Sequence, residues 1–435
     1  MSKTNHSALL LGATLLAALA CVAIGPSTAA AQRWEEDEID ARLSNQGAKI
    51  KRHAKSGASD PEKDRALNEY FDNYFFPAMT RSTPDALEDV GDMRVDLFRS
   101  YIWPSRPQLQ KALSDKAFAF AIKVVKSRKY HPSVTYNALL ILGALDNRYA
   151  GSGSELPTPS ANANKMLINL AVLAARNPKV PRYWLSGALI GLERHARFQA
   201  NLPPASQQLT ARALVAVLAA KSLSDDKGVD TWMRMRAAKA LAQYHTPGPK
   251  DQYLKAISKQ VADETMSLDA RAEFASLWAE LDLSAHADAQ LGPTIDVALK
   301  LALDIAAKER ASAERFESLQ LGRRGPVAVT RDNDPRIRNT DNRSVSYERR
   351  GLVVILTDLK RGLEALKPTA GDRTEVLDDV IQAVSEALAE SSKKSVIDLN
   401  VTEAVKQMAN QVQSVAAPKE EATEEIPADV FGANL

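Results

Sequence analysis

The stretch that most restricts the fold is Asp230 to Tyr244, D-T-W-M-R-M-R-A-A-K-A-L-A-Q-Y. Met233, Ala237, Ala240, Leu241 and Tyr244 recur at intervals of three and four, which is one buried face of a helix. Arg236, Lys239 and Gln243 fall opposite and read as solvated. Weaker copies of this helix occur elsewhere. Val134 begins V-T-x-x-A-L-x-I-L, Pro181 begins P-R-x-x-L-S-x-A-L, Met233 begins M-R-x-x-A-A-x-A-L and Ala270 begins A-R-x-x-F-A-x-L-W. The matched position falls at Leu142, Leu189, Leu241 and Trp278, at intervals of 47, 52 and 37 residues. An Ala-, Val- and Leu-rich segment precedes each copy, at 116–126, 164–175, 209–223 and 252–263. Units of this length with two helices each predict an all-α chain, an α-solenoid of antiparallel helix pairs. A single pair cannot bury its apolar face alone, so it stacks on its neighbour and the array needs closed ends.

The second helices resemble those of HEAT repeats, which typically read V-R-x-x-A-A-x-A-L-G. Met233 to Ala242 fits that pattern with conservative changes at its first and last positions. The resemblance covers residues 116–316 and is one of superfamily; it implies a curved binding surface. One departure is the aspartate usual about six residues before the arginine, where Gly228 and Thr265 stand. Arg182, Arg234 and Arg271 recur in register, with Thr135 in the first unit. They read as struts satisfying turn carbonyls, or as a cationic stripe for an anionic ligand.

Outside the repeats the chain divides by composition. Residues 1–31 read as a secretory signal: Lys3, an apolar run from Ala8 to Gly25, then Ala29-Ala30-Ala31 as a small-x-small site cleaved after Ala31. The alternative is an uncleaved segment tethering the chain to a membrane. Cleavage removes Cys21, the single cysteine, and with it disulfides and thiol chemistry. No later segment reads as a membrane span, so the expected compartment is periplasmic or extracellular. Residues 32–59 form a charged leader that reads as solvated. Residues 60–115 form a helical cap, and eight of the 25 aromatic residues fall between Tyr70 and Trp103. At helical spacing they read as a core closing the array rather than a stacking platform.

Residues 317–346 read as an arginine-rich loop, with eight arginines, no lysine and four acidic residues between Gly322 and Arg350. Residues 347–416 carry three amphipathic helices, read as a docked bundle or as final repeats, and 417–435 an acidic, disordered tail. The net charge of +2 gives no pointer to nucleic acid.

No catalytic or cofactor motif is present: no H-E-x-x-H, no G-x-S-x-G, no phosphate-binding loop. His131, His195, His245 and His286 fall near helix ends without metal-ligand spacing, and Asp332-Asn333-Asp334 lacks the glycine of a calcium loop. The expected site is instead Arg323, Arg324, Arg331, Arg336 and Arg338. Their planar forks suit the carboxylates, phosphates or sulfates of an anionic polymer, a lipid headgroup or a partner's acidic patch. The chain therefore reads as an exported non-catalytic scaffold that binds a protein or polymer. The alternative is an exported α/α-toroid enzyme acting on a polysaccharide. Leu241→Ala is expected to cost about 2–5 kcal/mol in chemical unfolding, against little for Lys239→Ala; equal losses would mean that the buried face is misassigned.

Overall fold

The computed structural model describes residues 33–56, 60–150, 155–284, 291–322, 335–393 and 399–416. The segments read as signal and acidic tail lie outside these. Among the described residues the fold is all-α, fifteen helices with one short two-stranded ribbon. At the amino end stand α1 (Gly47–Ser56), α2 (Pro61–Tyr70) and α3 (Pro84–Asp96). Four pairs follow: α4 (Pro107–Ser127) with α5 (Pro132–Ala144), α6 (Ala161–Arg176) with α7 (Arg182–Arg197), α8 (Pro204–Leu218) with α9 (Lys227–Ala242), and α10 (Gln252–Val261) with α11 (Leu268–Ser276). The last four are α12 (Gly292–Gly322), α13 (Pro335–Leu366), α14 (Thr374–Ser392) and α15 (Leu399–Ala416).

Local chemistry sets where these helices start. Proline opens α2, α3, α4, α5 and α8, where its missing N–H is not needed. Asp60, Ser160, Asp226 and Ser267 accept from the third backbone N–H of α2, α6, α9 and α11.

The pairs pack in two rows. From α6 on, each first helix lies against the next first helix: α6 on α8, α8 on α10, α10 on α12. The second helices do likewise, α5 on α7, α7 on α9 and α11 on α13, while α9 meets α11 and the turn Leu277–Glu280 that follows it. The final pair enters in reverse order, α14 against α13 and α15 against α12. The three C-terminal helices thus continue the rows.

Leu142, Leu189, Leu241 and Trp278 are all 0% exposed and mark the seam between rows. Two crossings bring backbones together. A Cβ on Gly143 would lie 2.6 Å from the Gly191 Cα, and one on Gly362 would lie 2.8 Å from the Ala275 carbonyl oxygen.

At the amino end α2 and α3 each run on into a widened turn, Phe71–Phe75 and Leu97–Ile102, with i→i+5 bonding. These turns gather rings into a cluster: Phe71 lies 5.0 Å from Phe75 and 5.1 Å from Tyr101, centroid to centroid, and Phe76 stacks on Phe120 of α4 at 4.7 Å. Trp103 alone of the large rings there is mostly exposed, at 57%.

Two expectations are corrected. The charged leader is docked, not solvated. Glu36 holds Arg81 at 2.7 Å and accepts from the Ser82 hydroxyl at 2.6 Å; these contacts pull its pKa down to about 2. Asp37 accepts from Tyr130 and Lys123 at 2.8 Å each, and Trp34 meets the His131 ring edge-on at 5.4 Å. Glu36 and Asp37 thus find side-chain partners 45 to 93 residues away, which composition does not display. The stretch 317–346 is also not one loop, since α12 continues to Gly322 and α13 begins at Pro335. Pro335 suits a first helical position, but the polar residues after it carry no apolar period.

Gly191→Ala is expected to destabilise by about 1–3 kcal/mol through overlap with α5. Gly91→Ala, with nothing within 4 Å of the new Cβ in α3, should stabilise by up to about 1 kcal/mol. Denaturant melts of both check the crossing; a neutral Gly191→Ala contradicts it.

Candidate functional site

The recurring arginines face inward. Arg234 on α9 is buried and donates to the Leu218 and Ala220 carbonyls at the end of α8, at 2.9 and 2.8 Å. Arg271 on α11 donates to the Val261 carbonyl at the end of α10, at 2.6 Å, and Arg182 on α7 to the Ala174 carbonyl of α6, at 3.3 Å. Each satisfies acceptors that the end of the preceding helix leaves open. Their carboxylate partners come from places the repeat pattern does not mark. Asp230, one turn before Arg234, binds it at 2.5 Å and also accepts from the Leu223 N–H. Asp304 of α12 binds Arg271 at 3.0 Å. Thr135, at the same register in α5, is buried, and its hydroxyl has no partner among the described residues.

The opposite side of the second helices is open. Among the residues that α9 leaves accessible, Val229, Trp232, Arg236 and Lys239 form a stripe at helical spacing, which Gln243 continues just past the helix end. Two grooves draw on it. The first, about 650 Å3, runs over α3, α5, α7 and α9 and presents Leu87, Tyr136, Tyr183, Val229 and Trp232. The second, about 620 Å3, runs over α7, α9, α11 and α13 and presents Glu193, Asp269, Glu273, Glu280 and Asp358 with Lys239 and Arg361. Arg236 links a residue of each, its guanidinium 5.2 Å from the Trp232 ring of the first and 2.8 Å from Glu193 of the second.

Four of the five carboxylates are engaged. Lys239 holds Glu273 at 2.6 Å, Arg361 holds Glu280, and Lys308 approaches Asp269 to 3.7 Å, with Arg236 on Glu193. Asp358 is not: it is half-buried and forms no hydrogen bond or ion pair among the described residues. Burial first, and then the charge of Glu273, raise its pKa above the ordinary aspartate value, against Arg361 and Lys239. Such a carboxylate is under-satisfied and gains most from an added cation.

Arg323, Arg324 and Arg331 lie outside the described residues, and Arg336 and Arg338 fall in the first turns of α13. His195 is fully buried, not at the surface; burial, with Arg194 beside it, pushes its pKa down to about 3 and keeps it neutral. His131 accepts from the Ser133 N–H at the start of α5, and His286 lies outside the described residues. Among the described residues no cluster of His, Cys, Asp and Glu is placed to hold a metal ion, and no helix is long and apolar enough to cross a membrane. No family model, curated protein or solved structure matches the chain.

The groove residues were missed because their stripe reads as an ordinary solvated face. The usable signal was aromatic: Tyr136, Tyr183 and Trp232 all sit in the first two turns of second helices and none is fully buried.

Asp358 carries a pH test. A raised native pKa means that the folded chain binds this proton more tightly than the unfolded one, so ionisation penalises the fold. Asp358→Asn should therefore melt higher than the wild type at pH 7. The gap should close as pH falls through the native titration and vanish near the ordinary value of 3.8. A pH-independent gap would contradict the assignment.

Proposed function

We propose that the chain is an exported, HEAT-like helical-repeat scaffold that holds a protein or polymer partner along the outer face of its second helices. The observation that carries this is the pair of grooves that both draw on α7 and α9. Both are built from residues at corresponding outward positions of successive pairs, which is how solenoids make extended binding surfaces. Export rests on Lys3, the apolar run from Ala8 to Gly25 and the small residues before Gln32.

One observation favours the other reading, a polysaccharide-cleaving α/α toroid. A carboxylate with a raised pKa, Asp358, stands beside a second, Glu273, in a groove, as an acid–base pair would. Against it, packing passes from neighbour to neighbour, and no substantial packing among the described residues joins α1–α4 to α12–α15. That pattern supports an open array.

The test places a photo-crosslinking residue at Trp232 or Val354 in the grooves, or at Leu209 on the first-helix row, in protein whose amino terminus is sequenced as Gln32. A defined partner in the native exported fraction should be captured from the first two positions and not from the third. Equal capture at all three, a start upstream of Gln32, or polysaccharide cleavage lost in Asp358→Asn would each overturn the proposal.

A further inference from the structure

The two grooves differ in chemistry in a way that narrows the partner. The first offers the faces of Trp232, Tyr136 and Tyr183 with Leu87 and Val229; Trp232 and Val229 are 37% and 39% exposed although large and apolar. An aromatic surface of this kind takes aliphatic or aromatic side chains. The second is lined by five carboxylates, four of them paired with Lys239, Arg361, Arg236 and Lys308, so that of Asp358 is left uncompensated among the described residues. Its existing ion pairs are of the partly exposed kind that contribute little and exchange readily. Lys239 and Glu273 are each about 40% exposed, and Asp269 is 69% exposed. Among the described residues Asp358 has no such pair, and it is repelled by Glu273.

We infer that the scaffold's partner is a cationic peptide segment, which lays an aromatic or aliphatic block on Trp232 and places lysine or arginine between Asp358 and Glu273. This rests on the scaffold reading and adds the chemistry of the ligand. Charge complementarity supplies the occupant: the one carboxylate in the groove without a partner gains a cation, and an anionic polymer would be repelled there. Geometry supplies the spacing. The groove centres are two helix positions apart across the row, about 20 Å at 8–10 Å per helix. An extended chain covers that in roughly six residues.

The probe is a fluorescein-labelled peptide with a Leu-Trp-Leu block, a six-residue Gly/Ser spacer and a Lys-Arg-Lys block, titrated into the full mature chain by anisotropy. One control peptide replaces the basic block with Glu, and another replaces Leu-Trp-Leu with Ser. The composite peptide is expected to bind at least tenfold more tightly than either control. Asp358→Asn with Glu273→Gln should weaken it at least tenfold without weakening the Glu-block control peptide. Trp232→Ala should weaken it independently, and Lys111→Ala on α4 should not change it. Circular dichroism of each variant keeps misfolding distinguishable from lost contact.

The inference is overturned if the composite and Glu-block peptides bind alike, or if the folded groove variants bind as the wild type does. It is also overturned if a sulfated polysaccharide binds in the groove and displaces the peptide, but then the scaffold reading survives. Failure of the peptide together with equal crosslinking on both helix rows would remove both.

Discussion

A helix that ends inside a stack of helices leaves carbonyl oxygens where water cannot reach them, and this array answers that constraint with arginine. Arg234 meets the carbonyls closing α8, Arg271 the one closing α10, and Arg182 one near the end of α6. Each arginine comes from the second helix of the same pair, so it ties the pair together as it satisfies the turn. Arg234 and Arg271 are themselves buried, so each needs a carboxylate: Asp230 on the same helix for Arg234, and Asp304 on the next pair for Arg271. Gln260 of α10 adds a bond to the Leu218 carbonyl and so links one pair to the next. With the polar ends settled, Ala, Leu and Gly close the remaining space, most tightly where Gly143 meets Gly191.

That packing uses nearly every face. The first helices give one side to their own row and another to the seam, and the second helices do the same. What stays open on α5, α7, α9, α11 and α13 is one outward stripe per helix, and those stripes line the two grooves. The function proposed for the chain therefore sits on residues that the fold does not need. Arg236 and Arg234, two positions apart on α9, show the division: Arg234 is buried in the strut, and Arg236 joins Trp232 to Glu193 at the surface.

The sequence disclosed what depends on period. Leu142, Leu189, Leu241 and Trp278 mark the seam because a core position repeats wherever the unit repeats. The apolar faces of α13, α14 and α15 were legible for the same reason. What depends on pairing between distant segments was not legible. The leader looked like charge in water, yet Glu36 and Asp37 find partners on α4 and beyond Pro77. His195 looked terminal because it closes α7, but Asn164 and the rows around it enclose it completely. The groove was hidden for a third reason. An exposed stripe of mixed residues has the same one-dimensional pattern whether it faces open solvent or lines a concavity.

The central claim is that the pairs continue in an open row rather than closing into a ring. If the signal is removed the chain has no cysteine, so two introduced thiols can carry spin labels without interference. Cysteines at Lys111 on α4 and Gln382 on α14, both exposed, report on the two ends of the array by electron–electron dipolar distance. Five steps of 8–10 Å separate α4 from the last pair, so an open row places the labels about 40–50 Å apart. A single distance distribution below roughly 20 Å, two such steps, would mean that the ends meet and would contradict it.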